Sequence, residues 1–263
     1  MFISESSRFF NFSTILAILF LLTDRYCFCI NPQKFNGSID NGFSQAVATW
    51  YDSPTGPGSG GSCGFADDVG NPPYNGMTTA GNQFLFKSGK GCGNCYRVKC
   101  TNNSQCSGKA ITVTLTNECP GTCNDDPVHF DLSGKAFGLL AKRGQDYNLR
   151  QLGRINIQYQ SVPCHYNVGI TLKIDSGSNR NYLAFAIEFV EGDGDIGAAE
   201  ISSSNSKGWL TMQQSWGATW KVGLPEGISG PYSVKITTIE SKKVFYLSNV
   251  IPANWVPGQH YHG

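Results

Sequence analysis

The stretch His129-Phe130-Asp131-Leu132-Ser133-Gly134 places one carboxylate between an aromatic ring and the start of a helical pattern. Apolar residues recur at helical spacing after it, and the pattern ends at Gly144, which predicts a short helix. Ser133 has the side chain of a helix N-cap, so Asp131 is free for another role. It can be the acid of an enzyme, a hydrogen-bonding contact to a polymer, or a helix cap or acidic group near the positive helix end.

The composition is typical of short strands joined by tight turns. The chain has 263 residues, among them 31 glycines, and aromatic residues make up 12% of it. The formal net charge is +1, and charges of both signs are spread along the chain. We therefore expect neither nucleic acid nor an anionic membrane surface as a partner.

The N-terminus has the pattern of a secretion signal. Arg8 precedes an apolar run over residues 9–22 that is too short for a comfortable membrane span. We predict a signal peptide over residues 1–29, cleaved after Cys29, and a polar lead-in over 30–42. No second long apolar run follows, so the mature protein should be secreted and have no transmembrane span. Asn36 and Asn102 each begin an Asn-x-Ser glycosylation acceptor.

Cleavage at this position would leave eight cysteines, all between residues 63 and 164. An even number in a secreted chain favours four disulfides, although about 105 pairings remain open. The segment Cys92-Gly93-Asn94-Cys95, followed by Cys100 and Cys106, also has the spacing of a zinc site. An oxidising compartment favours disulfides over zinc. We therefore expect no metal site and no cofactor.

The uneven distribution of cysteines predicts two domains. A disulfide-braced domain should span residues 43–164 and an unbraced one residues 165–258, followed by a tail over 259–263. In the first domain, alternating patterns predict strands at 46–51, 96–100, 111–116 and 155–159. In the second, strand-like segments separated by turns indicate an antiparallel sandwich: 169–174, 182–190, 196–201, 209–213, 220–222, 232–238 and 244–247.

Two kinds of side chain could act on a polysaccharide. Glycoside hydrolysis uses two carboxylates. None of the candidate partners of Asp131 has a distinguishing setting in the sequence: Asp52, Asp67, Asp68, Glu118, Asp125 and Asp126. Aromatic rings can stack on the flat C–H faces of sugars, and Trp50 and Tyr51 adjoin a glycine-rich loop. Adjacent strand residues face opposite sides, so one of these two rings should point outward.

Eight segments carry a combined resemblance to a known family. They are Ala48-Thr49-Trp50-Tyr51, Cys63-Gly64-Phe65, Gly91-Cys92-Gly93-Asn94-Cys95-Tyr96, His129-Phe130-Asp131-Leu132-Ser133, Leu149-Arg150, Asn179-Arg180-Asn181-Tyr182-Leu183-Ala184, Ser215-Trp216-Gly217-Ala218-Thr219-Trp220 and Gly230-Pro231-Tyr232-Ser233-Val234. Together they resemble the plant expansins, most closely the β-expansin branch. The resemblance covers nearly the whole mature chain.

The resemblance implies an all-β chain, in which a six-stranded double-psi β-barrel with a short helix precedes an immunoglobulin-like, polysaccharide-binding β-sandwich. It implies groove residues in the barrel at Thr49, Trp50, Tyr51, His129 and Asp131. It implies platform residues in the sandwich at Tyr182, Ser215, Trp216 and Lys221. It also implies the disulfides Cys63–Cys92, Cys95–Cys164 and Cys100–Cys106, with Cys119–Cys123 left as the fourth pair.

The same resemblance bears on hydrolysis. The barrel is similar to family-45 endoglucanases, and Asp131 falls in the place of their general acid, whereas their catalytic base has no counterpart in expansins. Asn117 stands where some β-expansins have an acidic groove residue. Lys221 stands where some members have Arg, and a lysine lacks the planar fork of a guanidinium.

We therefore predict a secreted cell-wall protein that loosens non-covalent contacts between cellulose and matrix polysaccharides without hydrolysis. Its partners would be wall polysaccharides (cellulose, xyloglucan or arabinoxylan), and we expect a monomer. Two alternatives stay open. One is a family-45-like endoglucanase or xylanase with Asp131 as general acid, and the other is an adhesive, lectin-like wall protein.

Overall fold

The computed structural model describes residues 42–263, which all belong to one unit of the chain, Ile39–Gly263. The predicted signal peptide, its cleavage after Cys29, nearly all of the lead-in and the acceptor Asn36 lie outside the described residues. No helix in the described part is long and apolar enough to cross a membrane.

The first half of the described chain is a closed β-barrel. Its six strands are β1 (Ser44–Tyr51), β2 (Thr78–Gly81), β3 (Cys95–Lys99), β4 (Ile111–Glu118), β5 (His129–Ser133) and β6 (Ile155–Val162). They close in the order β1-β5-β2-β4-β3-β6. The pairs β1–β5 and β2–β4 are parallel and the other pairs are antiparallel. This confirms the six-stranded barrel.

Strand β5 is formed by the stretch that the sequence pattern indicated only as the approach to a helix. Its parallel pairing with β1 aligns Thr49 with Asp131 and Trp50 with Leu132. Phe130 and Leu132 are fully buried in the barrel core. Because side chains alternate along a strand, Asp131 between them points to the other face.

Three short helices accompany the barrel: α1 (Gln83–Phe86), α2 (Gly134–Leu139) and α3 (Asp146–Gln151). Helix α2 begins where the sequence predicts it, because the Ser133 hydroxyl accepts a hydrogen bond from the Ala136 amide at 3.0 Å. The predicted capping role of Ser133 is thereby confirmed. The helix ends at Leu139, before Gly144, and helix α3 was not predicted.

Four disulfides brace the barrel half, and they are the pairs that the resemblance implies: Cys63–Cys92, Cys95–Cys164, Cys100–Cys106 and Cys119–Cys123. The longest loop closed is that of Cys95–Cys164, which ties the start of β3 to the residues after β6. Each cross-link restricts the unfolded chain, which supports a domain rich in loops.

The second half is a sandwich of two antiparallel sheets. Its strands are β7 (Thr171–Ile174), β8 (Tyr182–Glu188), β9 (Ala198–Ser203), β10 (Leu210–Thr211), β11 (Gln213–Trp216), β12 (Thr219–Gly223), β13 (Tyr232–Thr237), β14 (Val244–Ile251) and β15 (His260–His262). One sheet has the order β10-β9-β13-β14 and the other β11-β12-β8-β7-β15. A large apolar cluster, which includes Leu172, Phe185 and Val234, fills the space between them.

The expected tail over residues 259–263 is not a tail. Residues His260–His262 form the edge strand β15, which pairs with β7. The prediction was wrong because the segment is short and carries two histidines, so it lacks the apolar alternation by which strands are recognised.

The barrel and the sandwich share a buried cluster. Cys63, Phe65 and Tyr74 from the barrel pack with Ala218 from the sandwich and with Phe189, which is partly buried. This barrel–sandwich junction also buries Glu188, 2% exposed, at the end of β8. Burial first, and then the charge of Asp68, raises the pKa of Glu188 to about 8.

Gly217 lies where the two halves are closest. Its φ is +50°, and a Cβ at this position would lie 2.6 Å from the Cα of Cys63. Gly217→Ala should therefore lower the melting temperature through backbone strain and a clash that forces the halves apart, a cost of about 1–3 kcal/mol. Calorimetry or circular dichroism of the purified variant measures it.

Gly108→Ala is the matched control. Gly108 also has a positive φ, +73°, but nothing lies within 4 Å of an added Cβ. The Gly108→Ala variant should be destabilised only by the cost of placing alanine in the left-handed conformation. Equal melting temperatures of the two alanine variants would contradict the close junction at Gly217.

Candidate functional site

The site is built around Asp131, whose side chain lies beside that of Thr49. The Thr49 hydroxyl lies 2.5 Å from Oδ1 of Asp131 and 2.8 Å from Nε2 of His129. These contacts follow from the β1–β5 register, which aligns Thr49 with Asp131 and places His129 two residues away on the same face. The structure thus brings together three of the predicted groove residues.

Two further residues extend this group. Nδ1 of His129 lies 2.8 Å from Oδ2 of Asp126, and Arg154 donates two hydrogen bonds to the same carboxylate, at 2.9 and 2.7 Å. The hydrogen bonds from Arg154 lower the pKa of Asp126 most; burial acts in the opposite direction, and the hydrogen bond from His129 adds a smaller lowering. We call Asp131, Thr49, His129, Asp126 and Arg154 the Asp131 cluster.

Sequence reasoning missed the roles of Asp126 and Arg154. Asp126 was one of six acidic residues without a distinguishing setting, and Arg154 was not singled out. The only local signal is that Asp126 precedes His129 by three residues. Arg154 comes from the segment before β6, and only the closure of the barrel brings it to Asp126.

The Thr49 hydroxyl carries one proton, which limits the states of its two neighbours. If Thr49 donates to an ionised Asp131, then His129 must donate from Nε2, and with Nδ1 donating to Asp126 it is an imidazolium. If His129 is neutral and donates from Nδ1, its Nε2 accepts from Thr49, and Asp131 must be the donor as a carboxylic acid. Two arrangements of protons therefore satisfy every contact of the Thr49 hydroxyl.

One oxygen of Asp131 remains available to a ligand. Its Oδ2 lies 3.8 Å from the sulfur of Cys119, which carries no proton because it is bonded to Cys123. Asp131 is half-buried, and this burial raises its pKa, while the hydrogen bond from Thr49 and the charge of His129 act in the opposite direction. A half-buried carboxylate with a free oxygen is suited to accept a hydrogen bond from a hydroxyl group.

Tyr51 and Trp50 lie on opposite faces of β1. Tyr51 is on the face of Thr49, and its hydroxyl accepts a hydrogen bond from the Ser59 amide at 2.7 Å. Burial raises its pKa. The Trp50 ring packs 6.4 Å from that of Phe137, and its Nε1 donates to the Arg150 carbonyl at 3.2 Å. The structure therefore does not bring Trp50 to the Asp131 cluster.

Three of the predicted platform residues, Tyr182, Trp216 and Lys221, share one face of the five-stranded sheet. The register aligns Tyr182 with Gly223 and Trp216 with Thr219, and both rings point away from the sandwich core. They are about 13 Å apart along the strands and about 10 Å across them. Trp216 is 47% exposed.

Lys221 and Ser215 complete this surface. Lys221 lines a shallow pocket with Tyr182 and Gln213. Ser215 sits at the bulge of β11, next to Trp216, where the pairing with β12 shifts register. We call Tyr182, Ser215, Trp216 and Lys221, the residues that the family resemblance groups together, the sheet platform.

A glycine-rich loop joins the barrel site to the platform. On the barrel side, the Ser59 amide bonds to Tyr51 and the Ser62 amide donates to Oδ1 of Asn117 at 2.9 Å. Asn117, noted as a departure from an acidic residue, thus accepts a hydrogen bond from this loop. The loop is held in place by side chains of β1 and β4.

On the sandwich side, the Ala218 amide donates to the Cys63 carbonyl at 3.0 Å. Gly64 has φ +89°, and a Cβ there would lie 3.3 Å from the Trp216 ring. The ring therefore packs against the loop at a position that only glycine fits without strain. The loop therefore links β1 and β4 of the barrel to Trp216 of the sheet platform.

The second acceptor site, Asn102, is exposed in the segment after β3. Its side chain accepts a hydrogen bond from the hydroxyl of Thr101 at 3.0 Å. Glycosylation there stays a prediction.

Asp131→Asn should raise the melting temperature at neutral pH. Because folding raises the pKa of Asp131, the folded chain favours its protonated form, and the ionised form costs stability as pH rises through the folded pKa. The rise in melting temperature caused by the asparagine should be greatest at about pH 7 and should vanish toward about pH 3.5, below the ordinary carboxyl pKa. Melting curves across this range measure it.

Asp146→Asn is a control of opposite sign. A hydrogen bond from Arg150 lowers the pKa of Asp146, so its ionised form favours folding. This variant should melt no higher than the parent at neutral pH. If Asp131→Asn melted below the parent at both about pH 7 and about pH 3.5, the ionised form of Asp131 would not be destabilising.

Comparisons with known proteins agree with this architecture. A family model described as lytic transglycolase matches residues 78–159, within the barrel. A model described as expansin C-terminal domain matches residues 170–252, within the sandwich.

Named relatives match over most of the chain. Expansin-B4 of Arabidopsis thaliana is 43% identical over 262 residues, which cover 98% of this chain and 97% of that protein. Pollen allergen Phl p 1 of Phleum pratense is 41% identical, with 82% of each chain covered.

A crystal structure of the apo expansin of Clavibacter michiganensis has a TM-score of 0.62 and covers 84% of this chain and 96% of that one. It is 19% identical in sequence, so it bears on the fold alone. A mutant of that bacterial protein, in complex with cellohexaose, matches equally well.

Proposed function

This chain belongs to the expansin family, and on that premise we propose that it is a secreted cell-wall protein that separates polysaccharide chains without cleaving them. Its partners are cellulose and the matrix glycans bound to it, xyloglucan or arabinoxylan. One observation carries the proposal. Asp131 is held by Thr49 on one oxygen, is open on the other, and has no second free carboxylate in its hydrogen-bonded cluster.

Hydrolysis of a glycosidic bond needs a second carboxylate that activates water or attacks the sugar. The carboxylate nearest to Asp131 along the hydrogen bonds is Asp126, and the side chains of His129 and Thr49 lie between the two. Asp126 is engaged by His129 and by both terminal nitrogens of Arg154. It is therefore a positioning group for His129 and a poor base.

The sheet platform supplies the binding energy in this proposal. Tyr182 and Trp216 offer ring faces to pyranose rings, and Lys221 has no side-chain partner among the described residues and so can bond to sugar hydroxyls. A nearly neutral chain suits uncharged glycans. The bacterial expansin that binds cellohexaose supports a β-glucan as one ligand class.

In this mechanism, a glycan bound on the platform reaches the barrel along the loop that ends at Gly64. There the free oxygen of Asp131 accepts a hydrogen bond from a sugar hydroxyl. Contacts with the protein replace contacts between two wall polymers, so the net change in hydrogen-bond energy is small. The polymers can then slide past each other without cleavage of a covalent bond.

Asp131→Asn should abolish most of the extension of heat-killed plant walls under constant load. The amide keeps the shape of the side chain but loses the negative charge that strengthens hydrogen bonds from hydroxyls. Binding to isolated walls should stay within about twofold of the parent, because the platform is intact.

The same assay decides between the alternatives. We expect the parent protein to extend walls with no steady release of reducing sugars. Release of reducing sugars from soluble glucan or xylan would require the endoglucanase alternative. Binding without any wall extension by the parent would require the adhesive one.

Trp216→Ala should weaken binding to cellulose and to whole walls about tenfold, which corresponds to about 1.4 kcal/mol. The variant removes one ring from the platform and leaves Asp131 in place. Binding isotherms with insoluble walls measure the loss.

Tyr246→Ala is the control for this loss. Tyr246 is 60% exposed on β14, in the other sheet of the sandwich, so its removal should leave wall binding unchanged. An equal loss from both variants would contradict the assignment of the platform.

A further inference from the structure

The end of strand β8 buries a carboxylate that the proposed function does not use. Glu188 is 2% exposed, and neither of its oxygens has a hydrogen-bond partner among the described residues. The Tyr74 hydroxyl and the Asp68 carboxyl group are close enough to affect the pKa of Glu188, but neither meets hydrogen-bond geometry with it. Burial makes the ionised form of this carboxylate costly unless a positive charge lies beside it.

Two potential ligands converge on Glu188 from other elements. Asp68 comes from the short helical turn Asp67–Gly70 of the barrel, and His260 comes from β15. One potential ligand atom from each of the three residues lies within 4.8 Å of the other two. Oδ2 of Asp68 and Nε2 of His260 are 3.5 Å apart.

We propose that Asp68, Glu188 and His260 bind a divalent transition-metal cation, Zn²⁺ best, at the barrel–sandwich junction. Zn²⁺ takes nitrogen and carboxylate oxygen at about 2.0–2.2 Å, so two ligands of a tetrahedron are about 3.4 Å apart. The Asp68–His260 separation already meets this value. The imidazole favours Zn²⁺ over Mg²⁺ and Ca²⁺, which prefer all-oxygen sites.

The three ligands come from both halves of the described chain. Asp68 belongs to the barrel, whereas Glu188 and His260 belong to the five-stranded sheet. A bound cation would therefore tie the halves together beside the buried cluster of Phe65 and Tyr74. His260 is partly exposed, with 37% of its side chain accessible, so an ion can enter from solvent.

Lys173 opposes the cation. Its Nζ lies 2.5 Å from Oδ2 of Asp68 and 3.3 Å from the Phe65 carbonyl. The cation must either share the Asp68 carboxylate with the Lys173 ammonium or displace that ammonium, which would then keep only its bond to the Phe65 carbonyl. Lys173 thus lowers the affinity of the site, and its removal should raise it.

The test is binding of Zn²⁺ to the purified, untagged protein after treatment with EDTA. Equilibrium dialysis gives the stoichiometry, and Co²⁺ in place of Zn²⁺ gives an absorption spectrum that reports tetrahedral geometry. We expect one ion per chain and a melting temperature that rises with Zn²⁺ concentration.

Substitutions assign the site. Glu188→Gln, which keeps the shape, and His260→Ala, at a partly exposed edge strand, should each weaken binding by at least about tenfold. Lys173→Met should strengthen it. Asp131→Asn should leave it unchanged, which separates this site from the Asp131 cluster.

His165→Ala is the matched control, since His165 is an exposed histidine 3.5 Å from the carboxylate of Glu191. Loss of binding in this variant, with binding kept in His260→Ala, would place the ion on the surface and overturn the proposal. The absence of stoichiometric binding by the parent would overturn it as well. If Glu188→Gln fails to fold, His260→Ala and Lys173→Met still decide the outcome.

Discussion

The parallel pairing of β1 with β5 is the constraint on which the barrel site depends. It sets Thr49 beside Asp131 and turns Phe130 and Leu132 into the core. Parallel strands cannot be joined by a hairpin, so the chain between them must make a long crossover. That crossover carries β2, β3 and β4, and the Cys119–Cys123 disulfide closes its last turn before β5. The position of one carboxylate thus depends on the whole barrel.

The polar groups around Asp131 are satisfied on every side but one. Arg154 holds Asp126, Asp126 orients His129, and the Thr49 hydroxyl lies between His129 and Asp131 within hydrogen-bond distance of both. Partial desolvation makes the ionised form of Asp131 costly to the folded chain. Groups that destabilise the folded chain are typical of functional sites, where they interact with a ligand. The second oxygen of this carboxylate is open and can accept a hydrogen bond from a sugar hydroxyl.

Strand β8 connects the two ends of the sandwich surface. Because side chains alternate, Tyr182 and Glu188 point to the same face of the sheet, six residues apart. The barrel covers this face at the Glu188 end and leaves it open at the Tyr182 end. One strand therefore supplies both an exposed ring for a glycan and a buried carboxylate at the junction, and Trp216 marks the boundary, where its ring contacts the loop at Gly64.

Local patterns explain what could be predicted from the sequence. Alternation predicts β1, β3, β4 and β6, the hydroxyl of Ser133 predicts the helix start, and combined motifs predict the all-β family fold and its disulfides. Strand β2 carries no apolar alternation, because its four residues, Thr78–Gly81, are all buried. Strand β5 does alternate, but it is only five residues long and leads directly into a helix start, so its pattern indicated the helix instead. The bond of Arg154 to Asp126, the turn of Trp50 away from the site and the burial of Glu188 were decided only by the tertiary structure. Each depends on elements distant in the chain, and burial and partners are properties of the packed molecule.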